Sequence, residues 1–371
     1  MSIKIHWCKN CLNTSTRPRI SFNRDGICNA CQWADQKKKL NWKKREDQLL
    51  KILDKHRSNT SKFDCLVPVS GGKDGSYVAY QLKHKYGMNP LTVTSRPPLT
   101  REIGDVNLEN FIRSGYDHIH ISANETSMKE INKFGFINVG MPYYGWLITI
   151  FSIPINVAIN FKIPLIFYGE DGEVEYGGST ESENTPFKNI EYIKKIYVEN
   201  AYEKAFKKNN EKKKENYWFS LPNFNKKDLF KPKFLWWSFF ENWDSYRNYL
   251  YAKKYCAFKE YTKSNEGTFT NFSQNDQKLY SLHAYLMYLK FGFGRATQDI
   301  GIEIRRGAMT RDQGINLVKL YDGQYPREYL DDYLSYFNIT KNFFDKILYK
   351  WTNKNLFKKE KNILIPKFTI T

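Results

Sequence analysis

Apolar and polar residues alternate along the first half of the chain in a way that predicts strands and helices in turn. Short apolar runs occupy residues 63–69, 91–94, 118–122 and 164–168, and segments of helical periodicity lie between them. Alternation of strands with helices is typical of a parallel sheet covered by helices. The pattern therefore predicts an α/β fold in residues 61–180.

Helical periodicity also marks the flanking segments. Residues 36–60 carry leucines at helical spacing and predict an amphipathic connecting helix. Residues 266–323 are mostly helical in pattern, and Thr310 is predicted to cap a helix that runs to about Tyr321. The chain is thus divided into 1–35, an N-terminal knuckle; 36–60, the connecting helix; 61–180, the sheet domain; 181–260, a basic and aromatic insertion; and 261–371, a mainly helical C-terminal region.

The insertion contains the run FLWWSFFENWDSY, with Trp236, Trp237 and Trp243. Aromatic residues in such a cluster are ordinarily buried, so the first interpretation is a local aromatic core. A docking patch for a partner subunit is the alternative interpretation.

Composition narrows the class of protein. The chain has 371 residues, of which 41% are hydrophobic, and this fraction excludes wholesale disorder. The sequence contains no apolar run of about 18 residues, so no membrane span is predicted. The N-terminus lacks a charged segment followed by an apolar one, and we expect a cytoplasmic protein. The formal charge of +19 favours an anionic ligand, although AT-rich coding also enriches lysine.

Four of the six cysteines form two CxxC pairs separated by 16 residues, namely Cys8, Cys11, Cys28 and Cys31. Each pair directs two thiolates at one point, and two pairs complete a tetrahedral site. This spacing predicts structural zinc, with an iron–sulfur cluster as the alternative. The residues between the pairs predict a short hairpin that turns at Asp25 and Gly26.

The most informative segment follows the first predicted strand. There a glycine turn joins the strand to a helix, an arrangement that directs backbone N–H groups at an anion. The turn is a predicted phosphate-binding loop with the residues Ser70, Gly71, Gly72, Lys73, Asp74, Gly75 and Ser76. In it Lys73 is suited to neutralising phosphate charge and Asp74 to holding Mg²⁺. The spacing is not that of a Walker loop.

This loop resembles the SGGxDS signature of the PP-loop ATP pyrophosphatase family, except that Gly75 stands where a second serine is usual. The resemblance implies a Rossmann-like parallel sheet and cleavage of ATP between the α and β phosphates. A substrate oxygen attacks the α phosphate, pyrophosphate leaves, and a nucleophile then traps the adenylated intermediate. The departure at Gly75 leaves open which hydroxyl donates to the phosphates.

Acidic residues follow the fourth predicted strand, at the same edge of the sheet as the loop. We predict that Glu170 or Asp171 binds the ATP-bound Mg²⁺ or accepts a proton during the reaction. A solvated acidic turn is the alternative. Farther along the chain, Arg295, Arg305 and Arg306 are candidates for binding substrate phosphates.

The chain as a whole resembles the N-acetyl sugar amidotransferase family. The resemblance rests on the CxxC pairs, SGGKDGSY, GEDGEVEYGG and YLMYLKFGFGRATQDIGIEIRRGAMTRDQ. It implies conversion of an acetamido group on a nucleotide-activated sugar into an acetamidino group. It also implies ATP, Mg²⁺ and Zn²⁺ as cofactors. The products of the family serve lipopolysaccharide O-antigens or flagellar pseudaminic and legionaminic acids.

The expected ammonia source is a second protein. Neither Cys65 nor Cys256 stands on a glycine elbow, and position 2 is Ser2, so the sequence shows no glutaminase nucleophile. The family resemblance implies a separate glutaminase subunit, with a cyclase-like subunit as a possible companion. We expect a nucleotide-activated sugar rather than nucleic acid as the other partner.

Two rival functions remain open at this stage. A tRNA-modifying PP-loop enzyme of the thiolase or lysidine synthetase type also fits the zinc pattern and the positive charge. A zinc-ribbon scaffold with a degenerate nucleotide site is the non-enzymatic alternative, and the intact Ser70–Ser76 loop counts against it.

Overall fold

A six-stranded sheet forms the centre of the fold in this computed structural model, which describes residues 5–60, 62–181, 183–208, 214–224, 230–361 and 363–371. The strands are β1 (Cys65–Pro68), β2 (Pro90–Ser95), β3 (His118–Ile121), β4 (Leu165–Tyr168), β5 (Phe187–Lys188) and β6 (Lys233–Trp236). They are ordered β3-β2-β1-β4-β6-β5, and only β5 runs antiparallel to its neighbour. The prediction of a parallel sheet is confirmed, with all four predicted strands in it.

The order of the strands reverses beside β1. The chain moves outward from β1 through β2 to β3 and then returns to place β4 on the other side of β1, where Leu66 is in register with Ile166. In open α/β sheets, ligands bind outside the carboxyl ends of the strands at such a reversal. The topology therefore places the expected ligand crevice between the ends of β1 and β4.

Helices cover both faces of the sheet. They are α1 (Asn29–Lys37), α2 (Trp42–His56), α3 (Lys73–Tyr80), α4 (Glu102–Arg113), α5 (Glu125–Asn138), α6 (Tyr144–Asn160), α7 (Gly172–Tyr176), α8 (Ile190–Tyr192), α9 (Tyr202–Lys208), α10 (Ser245–Tyr255), α11 (Leu279–Phe291), α12 (Arg295–Arg305), α13 (Arg311–Tyr321), α14 (Leu330–Phe337) and α15 (Lys341–Trp351). π-Helical turns at Gln81–Lys85 and Ile193–Tyr197 extend α3 and α8, and short 3₁₀ turns lie at Lys214–Phe219 and Trp237–Phe239. A hairpin of β7 (Phe357–Glu360) and β8 (Ile363–Pro366) follows α15.

Successive residues of each strand enter different hydrophobic layers. Cys65 and Val67 of β1 pack with α2 and α3, whereas Leu66 packs on the opposite face with α6 and the C-terminal helices. Because successive strand side chains point to opposite faces, a strand buried on both sides is apolar throughout. This explains why the central strands appear in the sequence as unbroken apolar runs.

The C-terminal region is helical, as its periodicity predicts. The Thr310 hydroxyl accepts a hydrogen bond from the Gln313 backbone N–H, and the Gln313 side-chain oxygen accepts one from the Thr310 backbone N–H, forming a capping box at the start of α13. That helix ends at Tyr321, as expected. Of the helices in the described part of the chain, none is long and apolar enough to cross a membrane.

The aromatic run of the insertion belongs to the core. Trp236 ends β6 and Trp237 follows it, and both indoles are buried, with exposed fractions of 7% and 1%. The interpretation as a buried aromatic cluster is therefore confirmed for these two residues. The strand itself was not predicted, since the aromatic run fits a buried cluster as well as a strand.

The N-terminal knuckle packs on the segment that follows β4. The Asn13 side chain donates to the Tyr176 carbonyl at 3.0 Å, and the Asn29 side chain donates to the Gly178 carbonyl at 2.9 Å. Lys37 pairs with Glu175 at 2.6 Å. The predicted hairpin is present, with Phe22 bridging Cys28 and Gly26 in the left-handed conformation. The knuckle is thereby fixed beside the carboxyl edge of the sheet.

Candidate functional site

The predicted phosphate-binding loop of residues 70–76, called the glycine loop below, lies where the strand order reverses. Residues 69–72 lead from β1 into α3, whose N-cap is Gly72 with no side-chain hydrogen bond to the first turn. Gly71 has a φ of +78°, and a Cβ there would stand 2.4 Å from the backbone nitrogen of Leu108. Only glycine fits this position. The first N–H groups of α3 are left for an anion.

The departure from the serine pattern at Gly75 has a steric cause. A Cβ at this position would lie 2.7 Å from the carbonyl oxygen of Pro68 and 3.1 Å from the Cα of Val69. The helix therefore packs directly on the strand. Ser76 is buried, and its hydroxyl has no hydrogen-bond partner among the described residues. An unpaired buried hydroxyl is costly. Ser70, and not Ser76, is the loop serine that lines the adjoining cavities.

Lys73 and Asp74 form an ion pair at the start of α3. The Asn248 side chain, from α10, donates to the second oxygen of Asp74 at 2.9 Å. Asn248 is fully buried. The Asp74 carboxylate is thus held in one orientation beside the loop, which suits a cation ligand.

Glu170 comes close to this pair from the end of β4. A Cβ on the preceding residue, Gly169, would lie 3.6 Å from the Cβ of Asp74. Burial and the Asp74 charge raise the pKa of Glu170 to about 7, with Lys73 opposing the shift. The Tyr176 hydroxyl donates to Glu170 at 3.3 Å. A carboxyl with a pKa near neutrality can exchange protons at physiological pH.

Asp171 has a different environment. Its carboxylate forms an ion pair with Lys188 at 2.7 Å, in which both side chains are less than a tenth exposed. It also accepts from the backbone N–H of Glu173 at 3.2 Å and so caps α7. These contacts commit Asp171 to holding the segment after β4. Of the two predicted carboxylates, the geometry favours Glu170 as the group that faces a ligand.

Two cavities meet at the glycine loop. The glycine-loop cavity, of about 290 Å³, is lined by the residues of the loop and by α11 and α12. The aromatic cavity, of about 380 Å³, lies over the ends of β2, β4 and β6. Ser70, Asp74, Tyr143 and Tyr280 line both cavities. Together they form one cleft with a polar half and an apolar half, which suits a ligand with phosphates and a ring.

The C-terminal region supplies several groups to this cleft that the sequence did not reveal. Burial raises the pKa of Asp276 to about 6, although the Arg101 charge and a hydrogen bond with Ser70 oppose the shift. Burial lowers the pKa of His283 to about 3, so its imidazole is neutral, and its Nδ1 has no partner among the described residues. Tyr143 packs against His283 at 4.7 Å between ring centroids. These residues come from separate elements, so no spacing in the sequence indicates them.

The three predicted arginines occupy three different environments. Arg295 lines the glycine-loop cavity and pairs with Asp299 at 2.8 Å. Arg305 lies beside the cysteine cluster, where it interacts electrostatically with Cys11. Arg306 pairs with Glu303 at 2.6 Å near the surface. Only Arg295 is therefore brought to the cleft.

The four cysteines of the knuckle are buried together. Their Sγ atoms lie within 4.8 Å of one another, with Cys8 and Cys31 3.8 Å apart and Cys11 and Cys28 3.6 Å apart. A tetrahedron with metal–sulfur bonds of about 2.3 Å has edges of about 3.8 Å. The Cys28 backbone N–H donates to the Cys8 sulfur at 3.2 Å. This cluster can bind a metal ion such as zinc, and the adjacent Arg305 offsets its negative charge.

Comparison with known families gives one match. Residues 266–369 match the family described as LPS biosynthesis protein WbpG-like, C-terminal domain. The matched segment contains Asp276, His283 and Arg295, which contribute to the cleft. The match supports a family role in lipopolysaccharide or glycan biosynthesis. No curated protein matches the chain.

Proposed function

We propose that this protein is an ATP-dependent amidotransferase. It would convert an acetamido group of a nucleotide-activated N-acetyl sugar into an acetamidino group, for lipopolysaccharide O-antigen or nonulosonic acid synthesis. The observation that carries the proposal is the shared cleft of the glycine loop and Glu170 at the strand-order reversal. The C-terminal match to a lipopolysaccharide biosynthesis family supports the class of substrate.

In the proposed first step, the amide oxygen of the sugar attacks the α phosphorus of ATP. The bond to the β-phosphate oxygen breaks and pyrophosphate leaves, so the amide carbon carries AMP as a leaving group. The glycine loop, through its backbone N–H groups, Ser70 and Lys73, would stabilise the charge that develops on the departing pyrophosphate. Asp74 and Glu170 are the carboxylates suited to holding Mg²⁺, which would neutralise phosphate charge.

In the second step, ammonia adds to the activated carbon and AMP leaves with the former amide oxygen. Forming the amidine requires the nitrogen to lose protons. Glu170, with a pKa of about 7, and Asp276, with a pKa of about 6, are carboxyl groups in the cleft able to accept one. The balance is amide, ATP and ammonia giving amidine, AMP and pyrophosphate.

The ammonia would come from a separate glutaminase subunit. Four of the six cysteines are held in the cluster, and the other two, Cys65 and Cys256, are buried with exposed fractions of 0% and 2%. Burial raises the pKa of both thiols. A glutaminase nucleophile requires an accessible thiolate, which none of these cysteines offers.

The test is a reaction of the purified protein with ATP, Mg²⁺, ammonium chloride and UDP- or CMP-linked diacetamido sugars. Free ammonia replaces the glutaminase. We expect release of AMP and pyrophosphate and, by mass spectrometry, exchange of one oxygen for NH in the sugar. Asp74→Asn is expected to abolish this release. Asp47→Asn, on the exposed face of α2, is the control and should retain it.

One outcome would contradict the proposed function, and another would contradict the role of Asp74. Pyrophosphate release that requires tRNA and not a sugar would assign the protein to tRNA modification. Full activity of Asp74→Asn would remove the carboxylate of the glycine loop from the mechanism.

A further inference from the structure

A third cavity adjoins the cleft on the side of the knuckle. This arginine cavity, of about 260 Å³, lies between residues 17–19, the start of α6, the π-helical turn after α8 and the end of α11. Its walls include Arg17, Arg19, Glu173, Lys290, Phe291 and Phe293. Positive charge and aromatic rings therefore meet in one cavity.

Arg17 is the unusual residue of this cavity. Its Nε and Nη1 atoms are buried and have no hydrogen-bond partner among the described residues. The guanidinium stacks only loosely, 5.5 Å from the Phe293 ring and 6.0 Å from the Tyr176 ring. Burial lowers the pKa of Arg17 to about 10, so the group stays charged at neutral pH. A buried cation with unmade hydrogen bonds is costly unless an anion pairs with it.

The nearest carboxylate does not provide that pairing. Both oxygens of Glu173 accept from Arg19, at 2.7 and 2.9 Å, and one also accepts from the Ser179 backbone N–H at 2.7 Å. Arg305 and Arg19 add positive charge around Arg17. Lys290, on the opposite wall, donates to the Val139 carbonyl at 3.1 Å. The exposed Glu199 is the remaining acidic residue of the wall, so cations exceed free carboxylates.

The arginine cavity lies directly beside the glycine-loop cavity. Tyr143, His283, Met287 and Gln298 line both the glycine-loop cavity and the arginine cavity. A molecule that spans the two adjacent cavities would have its reacting group at the glycine loop and an anionic part beside Arg17. ATP fills the opposite end of the cleft in the proposed reaction, so the anion at Arg17 belongs to the second substrate.

We propose that Arg17 binds the phosphate group of the nucleotide-activated sugar, with Phe291 and Phe293 forming the apolar wall beside it. This inference rests on the proposed function for the identity of the second substrate. It assigns to the loop between the two CxxC pairs a direct role in recognising that substrate. Arg17 is thus a binding residue for the acceptor and not for ATP.

Calorimetric titration of the full chain tests the assignment without turnover. The protein is first saturated with α,β-methylene ATP, and UDP-N-acetylglucosamine, UDP and inorganic pyrophosphate are then titrated as probes. We expect saturable binding of the UDP probes, weakened at least tenfold by Arg17→Gln and less by Arg17→Lys, which keeps the charge but loses the guanidinium fork. Arg24→Gln, an exposed change in the same knuckle, is the control and should bind as the wild type does.

Three results would overturn the inference. The first is that no probe binds to the wild type. The second is that the UDP probes bind equally well to Arg17→Gln and to the wild type. The third is that Arg17→Gln loses affinity for α,β-methylene ATP alone. Circular dichroism and melting of Arg17→Gln establish that the variant is folded. The pyrophosphate-release assay measures the proposed function independently, so an active enzyme with unaltered probe binding in Arg17→Gln would refute this inference alone.

Discussion

Of the two adjacent carboxylates after β4, the ionised form of Glu170 lowers the stability of the fold and that of Asp171 raises it. Glu170 carries a raised pKa because burial and Asp74 disfavour its charge, whereas Asp171 is paired with Lys188. Residues that serve function often cost stability, and residues that serve structure contribute to it. Substitution of each carboxylate by its amide therefore distinguishes the two roles.

Glu170→Gln is expected to stabilise the ligand-free protein at alkaline pH while abolishing activity. Since the pKa of Glu170 is about 7 in the fold and 4.5 in the unfolded chain, the folded state binds more protons between these values. Stability of the wild type then falls as pH rises through that window. The variant lacks this loss and should gain about 2–3 kcal/mol at pH 8 relative to pH 4. Urea unfolding at both pH values measures the gain, and a pH-independent difference would contradict it.

Asp171→Asn is expected to destabilise the protein by about 3 kcal/mol, because it leaves the Lys188 ammonium buried without a counter-ion. The double variant Asp171→Asn, Lys188→Met should recover part of this loss, since neither charge then remains buried. Urea unfolding of the two variants is the measurement. A single variant as stable as the wild type would show that the ion pair does not hold the segment after β4.

At the scale of elements, the glycine loop combines a steric requirement with a chemical one. Gly71 meets the steric requirement, because its φ of +78° and its contact with Leu108 exclude a side chain. Gly72 has an ordinary extended conformation, and a Cβ there would meet only the Ser70 hydroxyl, at 3.4 Å. We expect Gly71→Ala to lower the free energy of unfolding by at least about 2 kcal/mol. Gly72→Ala should cost less than about 1 kcal/mol and yet weaken ATP binding by obstructing the loop.

Melting temperature and titration with α,β-methylene ATP separate the two effects. Equal destabilisation by Gly71→Ala and Gly72→Ala would contradict the assignment of the steric requirement to Gly71. Unaltered nucleotide affinity in Gly72→Ala would show that the loop leaves room for a methyl group beside the bound phosphates.

The elements that the sequence predicts are those whose signals are local. Strand β1, the glycine loop and α3 are adjacent in sequence, and the capping box at Thr310 spans four residues, so each carries its own pattern. Strand β6 was not predicted because Lys233–Trp236 lies in an aromatic run whose pattern fits a buried cluster as well as a strand. Asn248, which holds Asp74, and the cleft residues Asp276 and His283 are brought to the glycine loop only by packing of segments remote in sequence.

At the scale of the whole molecule, the knuckle and the sheet are joined into one binding surface. The knuckle holds Arg17 in the arginine cavity and contacts α7, which begins directly after Glu170 and Asp171. The glycine loop is instead fixed by β1, α3 and α4 on the other side of the cleft. We therefore expect binding of the proposed second substrate to depend on the cysteine cluster more strongly than binding of ATP does.

Substitution of Cys11, one of the four clustered cysteines, tests this dependence. Zinc content by mass spectrometry should fall from one ion per chain in the wild type to below that in Cys11→Ser, since four thiolates complete a tetrahedral site. We expect UDP-N-acetylglucosamine affinity to fall at least about tenfold, or about 1.4 kcal/mol, with affinity for α,β-methylene ATP changing much less. Cys256→Ser, a buried cysteine far from the cluster in sequence, is the matched control and should keep both the zinc and the two affinities. Equal loss of both affinities in Cys11→Ser would mean that the metal stabilises the chain as a whole, and not the acceptor side of the cleft.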